Sequence, residues 1–139
     1  MSYEEKGQWV YLVVNLLTFG AYAWIIVGQA AGMPLTEVDY VPTLLSVIGV
    51  AVGLSIGGRI LVEIVSRSES YKADVRDRDI GRLGEYVGGI LLGVAMLVPF
   101  GLALAEADHF WIANAMYVGF ALTALVGTTV KLAAYRRGF

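Results

Sequence analysis

The stretch Ser66–Tyr86, SRSESYKADVRDRDIGRLGEY, decides how this chain folds. It is the only long hydrophilic run, and it separates two apolar halves. Between Ser66 and Glu85, five basic residues (Arg67, Lys72, Arg76, Arg78, Arg82) balance five acidic ones (Glu69, Asp74, Asp77, Asp79, Glu85). A surface that draws nucleic acid or anionic lipid by charge alone is one-signed. Direct nucleic-acid binding is therefore not expected. No proline follows Lys72 closely, so the third helix is expected to begin inside this segment. In that frame Asp74 and Arg78 stand at i,i+4, Asp79 and Arg82 at i,i+3, and Arg82 and Glu85 at i,i+3. Each such pair contributes about 0.2–0.5 kcal/mol. Ile80, Leu83 and Val87 form one apolar stripe.

Outward from this segment the chain is apolar. Of 139 residues, 58% are hydrophobic and 16% charged, against about a quarter charged in soluble domains. Mean hydropathy is +0.68. Four runs, Gln8–Ala30, Val41–Val65, Leu83–Ala105 and Phe110–Ala134, reach the roughly 20 residues that cross about 30 Å of hydrocarbon. Inside lipid the backbone must bond to itself, which makes each run a helix. The expected fold is all-α: one membrane domain over residues 1–139, a four-transmembrane-helix bundle of two helical hairpins. The opening MSYEEKGQW lacks a basic n-region, so the first run is expected to be a retained span rather than a signal peptide.

All ten Lys and Arg residues fall in the N-terminal tail, at the end of the second run and in the charged segment, or at the C-terminus. The other two loops carry only acidic charge: Glu37 and Asp39 in one, Glu106 and Asp108 in the other. The positive-inside rule then places both termini and residues 66–82 in the cytoplasm of a multi-pass plasma-membrane protein. Tyr3, Trp9, Tyr11, Tyr40, Phe110 and Trp111 suit interfacial aromatic belts.

Seventeen glycines lie mostly within the apolar runs. Gly49, Gly53 and Gly57 recur every fourth residue, as do Ala115, Gly119, Thr123 and Gly127, and Gly84 pairs with Gly88. Small residues four apart let helix backbones approach closely. Packing within the bundle is the first reading; an outward groove for a homodimer is the second.

Few side chains invite chemistry. There is no cysteine, which removes disulfide, thiolate-metal and thiol-nucleophile chemistry. Arg59 is the deepest charge, six residues beyond Gly53 and roughly 9 Å from the mid-plane at the helical rise. Its stem can snorkel, and Glu63 at i+4 can pair with it. Asn15 and Asn114 are expected to seek partners across the bundle, or to line a polar path with Arg59 and Glu63. Glu37, Asp39, Glu106, Asp108 and His109 gather hard ligands at the outer face, but their spacing specifies no metal site. Asp39 and Asp108 also suit helix N-caps. No cofactor is expected, and no catalytic motif stands out.

The run Lys72-Ala73-Asp74-Val75-Arg76-Asp77-Arg78-Asp79-Ile80 resembles the Lys-x-Asp-Glu-Arg-Asp-x-x-Ile loop of an uncharacterised family of small bacterial four-helix membrane proteins. The opening Glu5–Tyr11, the run Asp108–Ala115 and the ending Tyr135–Phe139 are similar to actinobacterial members. Val75 stands where the family usually has Glu. The resemblance implies a four-helix membrane protein, and the frequent neighbourhood of helix-turn-helix regulators in that family implies membrane-linked regulation.

Three functional expectations follow. The first is a non-enzymatic scaffold or regulator that docks a cytoplasmic protein, or a second copy, through Lys72, Asp74, Arg76, Asp77, Arg78, Asp79 and Arg82. The second is a carrier of a small molecule or lipid with a polar cavity at Arg59, Glu63, Asn15 and Asn114. The third and weakest is a membrane enzyme with Glu106, Asp108 and His109 at the outer face.

Overall fold

The computed structural model describes residues 3–66 and 75–137. In chain order they form α1 (Tyr3–Ala30), a short 3-10 turn (Leu35–Glu37), α2 (Tyr40–Val65), α3 (Val75–Ala95), α4 (Leu97–Leu104) and α5 (His109–Arg137). The described residues are otherwise turns and loops, with no strand. Four helices are long and apolar enough to cross a membrane: α1, α2, α3 continued by α4, and α5. The third helix begins at Val75, within the charged segment, and the eight residues 67–74 fall outside the described residues.

That third span is not a single helix. It breaks at Met96, between α3 and α4. Pro99 lies one turn further on and is buried. Proline has no N–H to give the carbonyl of Ala95, and its ring crowds that carbonyl, which accounts for the interruption.

Packing runs in the order α2, α1, α5, then α3 with α4. Among the described residues the side between α2 and α3 is open, so the four spans form an unclosed bundle. Glycine placement explains why. A Cβ on Gly127 would lie 3.4 Å from the carbonyl oxygen of Gly84, and one on Gly88 would lie 3.6 Å from Thr123 Cγ2. One on Gly119 would meet Met96 Cε at 2.5 Å. The small faces of α3 and α5 therefore lock together backbone to backbone. The same spacing in α2 is unused within the chain: nothing lies within 4 Å of a Cβ on Gly49, Gly53 or Gly57. The α1–α2 contact instead uses Gly58, where a Cβ would fall 2.5 Å from Val10 Cγ1. No residue of α2 is buried, and large apolar side chains such as Trp24 and Val65 are each 82% exposed. So extensive an apolar surface suits an apolar solvent.

The aromatic core sits at the end opposite the termini. Tyr22, Ile26, Val38 and Phe110 are its buried centre, with Leu44, Val47 and Tyr117 against them. Tyr22 stands edge-on to Tyr117 at 5.0 Å, and Tyr40 edge-on to Phe110 at 5.2 Å. The Tyr22 hydroxyl donates to Asn114 Oδ1 at 2.6 Å, which ties α1 to α5. Hydrogen bonds of this kind between membrane helices contribute about 0.6 kcal/mol.

The two expected N-caps part company. Asp108 Oδ1 accepts from the Phe110 N–H at 2.8 Å and caps α5. Asp39 is the N-cap residue of α2 but makes no side-chain cap bond. Its third following residue is Pro42, which removes one of the two N–H groups that a cap accepts from.

The α3–α5 contact predicts an asymmetric response to bulk. Gly127→Leu should cost about 1–3 kcal/mol of stability by overpacking. Gly53→Leu should be near neutral. Thermal unfolding of the two variants in detergent checks this; equal losses would show that α2 is packed too.

Candidate functional site

Four helices meet around one polar cleft of about 500 Å³ at the end that carries both termini. It occupies the open side of the bundle. From α1 come Glu4, Gln8 and Tyr11; from α2, Arg59; from α3, Asp77, Arg78, Ile80, Gly81, Arg82 and Glu85; from α5, Lys131 and Tyr135. Its walls carry both signs of charge, and Ile80 at its base is fully buried.

Arg59 is the best-held of these groups. Its Nη2 donates to Glu4 Oε1 at 2.9 Å and to Oε2 at 3.1 Å. Its guanidinium also sits 5.5 Å from the centre of the Tyr3 ring. Gly7 makes the approach possible, since a Cβ there would lie 3.4 Å from Arg59 Nη1. Guanidinium stacking on an aromatic face while chelating a carboxylate uses what distinguishes arginine from lysine. The pair is neither fully wet nor dry, with side chains 35% and 23% exposed.

The charged strip of α3 is stitched to the end of α5. Asp77 Oδ1 accepts from the Tyr135 hydroxyl at 2.9 Å, and Arg76 Nη2 donates to the Tyr135 carbonyl at 2.9 Å. Arg136 lies 5.3 Å over the Trp9 ring, and Lys6 donates to Ser66 Oγ at 3.1 Å. These contacts gather α1, α5 and the ends of α2 and α3 at one level. The stem of Lys131 lies across Gly84, where a Cβ would collide with its methylenes.

The sequence-derived sites are distributed differently. Arg59 lines the cleft, whereas Glu63 is exposed and does not. Asn15 donates back to the Tyr11 carbonyl at 2.9 Å. It borders a separate recess of about 220 Å³ between α1, α2 and α5. Asn114 bonds Tyr22 and borders a third, apolar recess of about 490 Å³ between α3, α4 and α5. The polar set Arg59, Glu63, Asn15 and Asn114 therefore does not converge on one cavity. Within the docking strip, Arg76 and Asp77 engage Tyr135, Asp77, Arg78 and Arg82 line the cleft, and Asp79 is exposed. Lys72 and Asp74 lie outside the described residues.

At the opposite end Glu37, Asp39, Glu106, Asp108 and His109 are all exposed. Among the described residues no three His, Asp or Glu side chains come together as a metal site. Asp108 is occupied as a cap, and Glu106 ends α4. With φ of 52°, Glu106 takes the left-handed position that usually falls to glycine. Its N–H bonds the Ala103 carbonyl, and the N–H of Ala107 bonds that of Leu102. The paired bonds close a Schellman turn.

Sequence reasoning missed Glu4, Gln8, Tyr11, Lys131 and Tyr135 as parts of the cleft. Glu4 stands two residues from Lys6 in a short charged tail, where nothing local marks it as the partner of Arg59. Only the antiparallel register of α1 and α2, with Gly7 beside Arg59 and Val10 beside Gly58, brings the two together. No known protein family, curated protein or solved structure matches this chain.

The Arg59–Glu4 geometry predicts a coupling between exposed and buried limits. A double-mutant cycle of Arg59→Gln and Glu4→Gln, read by unfolding in detergent, should give about 1–2 kcal/mol. A coupling near zero would mean that Arg59 is held by Tyr3 and its stem alone.

Proposed function

We propose that this chain is a non-enzymatic integral membrane protein that holds the phosphate-bearing head of a ligand in the cleft at its cytoplasmic end. One observation carries the reading. The cleft draws cations from three helices, Arg59, Arg78 with Arg82, and Lys131, into a space of about 500 Å³. Guanidinium and ammonium groups from separate helices are how proteins hold phosphate oxygens. Glu4 balances Arg59, and Arg78, Arg82 and Lys131 add further cations to the lining.

The four apolar helices support the membrane placement, and the distribution of Lys and Arg supports cytoplasmic termini. The reading departs from a docking strip for a cytoplasmic protein because Arg76 and Asp77 are spent on Tyr135. A surface whose charges are already engaged by its own chain offers less to a partner.

Two measurements test this. The chain has no cysteine, so single cysteines report sidedness cleanly. An impermeant maleimide should label Thr36→Cys in intact cells and Asp79→Cys only after permeabilisation; the reverse pattern would invert the topology. For the cleft, inorganic phosphate should raise the unfolding midpoint of the detergent-solubilised chain by about 2–4 °C over matched chloride. The Arg82→Gln/Lys131→Gln variant should lose that rise. An equal rise in wild type and variant would put the anion elsewhere.

A further inference from the structure

A furrow of about 280 Å³ opens beside the cleft and runs along the α3–α5 seam. Gly88, Gly89 and Leu92 of α3 face Thr123, Ala124 and Gly127 of α5 across it. Glu85 and Lys131 belong to both cavities, so the polar cleft leads into the apolar furrow at one mouth. From Lys131 to Thr123 the furrow follows α5 for about 12 Å, by the helical rise. It therefore descends from the charged end of the molecule into the part that lipid would surround.

We infer that the cleft and furrow together bind one zwitterionic glycerophospholipid with a primary ammonium head, its phosphodiester and ammonium at the mouth and one acyl chain in the furrow. The inference rests on the cleft reading above and adds the chemical class of the ligand. Charge at the mouth selects the head group. Lys131 and Arg82 offer donors to phosphodiester oxygens, while Glu85, one turn from Arg82 on α3, offers an acceptor. A glycerol head offers the Glu85 carboxylate only neutral hydroxyl donors, whereas an ammonium adds opposite charge to the hydrogen bond. A quaternary ammonium has no N–H to give that carboxylate, whereas a primary ammonium has three. Shape selects the chain. The furrow wall is small and apolar, and at Gly89 nothing lies within 4 Å of an added Cβ, so the furrow is open rather than filled by the protein's own side chains.

The test is native mass spectrometry of the full-length chain, titrated in detergent with dioleoyl phosphatidylethanolamine, phosphatidylglycerol and phosphatidylcholine. Phosphatidylethanolamine should be retained about five-fold better than either of the others. Glu85→Gln should erase its advantage over phosphatidylglycerol. Gly89→Leu, which fills the furrow at a position free of neighbours, should cut phosphatidylethanolamine retention about ten-fold. The same variant should keep the phosphate-induced rise in unfolding midpoint, because the cleft is untouched. Phosphatidylglycerol retained as well as phosphatidylethanolamine, or full retention by Gly89→Leu, would overturn this inference while the phosphate response leaves the cleft reading standing. A wild-type chain with neither phosphate response nor lipid preference would overturn both.

Discussion

Gly127 of α5 and Gly84 of α3 meet with no side chain between them, and the rest of the molecule arranges itself around that approach. Hydrophobic collapse gives helices in lipid no reason to prefer each other to acyl chains. Association depends instead on close van der Waals packing and a few hydrogen bonds. Matching small faces bring α3 hard against α5. The glycine face of α2 points away from the chain and finds no such counterpart within it. So α2 packs chiefly on α1, with its first turns against the aromatic core, and among the described residues the side between α2 and α3 is open and the polar groups at that end border a space rather than a seam. The cleft is a by-product of which glycine face is used.

Polar contacts then decide what the open side looks like. A lone guanidinium this far along a span is expensive unless it is paired or reaches water. Arg59 is chelated by Glu4, stacked on Tyr3 and admitted by Gly7, all from the first turns of α1. That arrangement fixes the α1–α2 hairpin at one end, and Tyr22 with Asn114 fixes α1 to α5 towards the other. Each bond is small on its own. Their value is registry: they set which turn of each helix stands at the level of the cleft.

Much of the architecture was legible in the sequence because bilayer thickness dictates helix length and the backbone has no alternative partner there. The four apolar runs, the helical start inside the charged segment and the small faces of α3 and α5 can all be read from spacing. What spacing cannot show is lateral order. Arg59 has Glu63 one turn away, yet its carboxylate partner in α1 is fifty-five residues distant. Asn15 and Asn114 look alike in sequence and each donates to the carbonyl four residues back, yet Asn114 also accepts from Tyr22 of the neighbouring helix. The break at Met96 was foreshadowed by Pro99, a signal that the uninterrupted hydropathy of the run conceals.

The stem of Lys131 lying across Gly84 ties two properties to one contact. Any side chain at position 84 would displace that stem, and with it the ammonium that stands at the mouth of both cavities. Conversely, a shorter residue at 131 would relieve the crowding and make alanine at 84 admissible. Substitution at the two positions is therefore not independent: a β-carbon at 84 has to be met either by a shift of the stem at 131 or by a shorter residue there. A pair of positions bound in this way acts as a ratchet on divergence, holding helix spacing and surface charge to a single history.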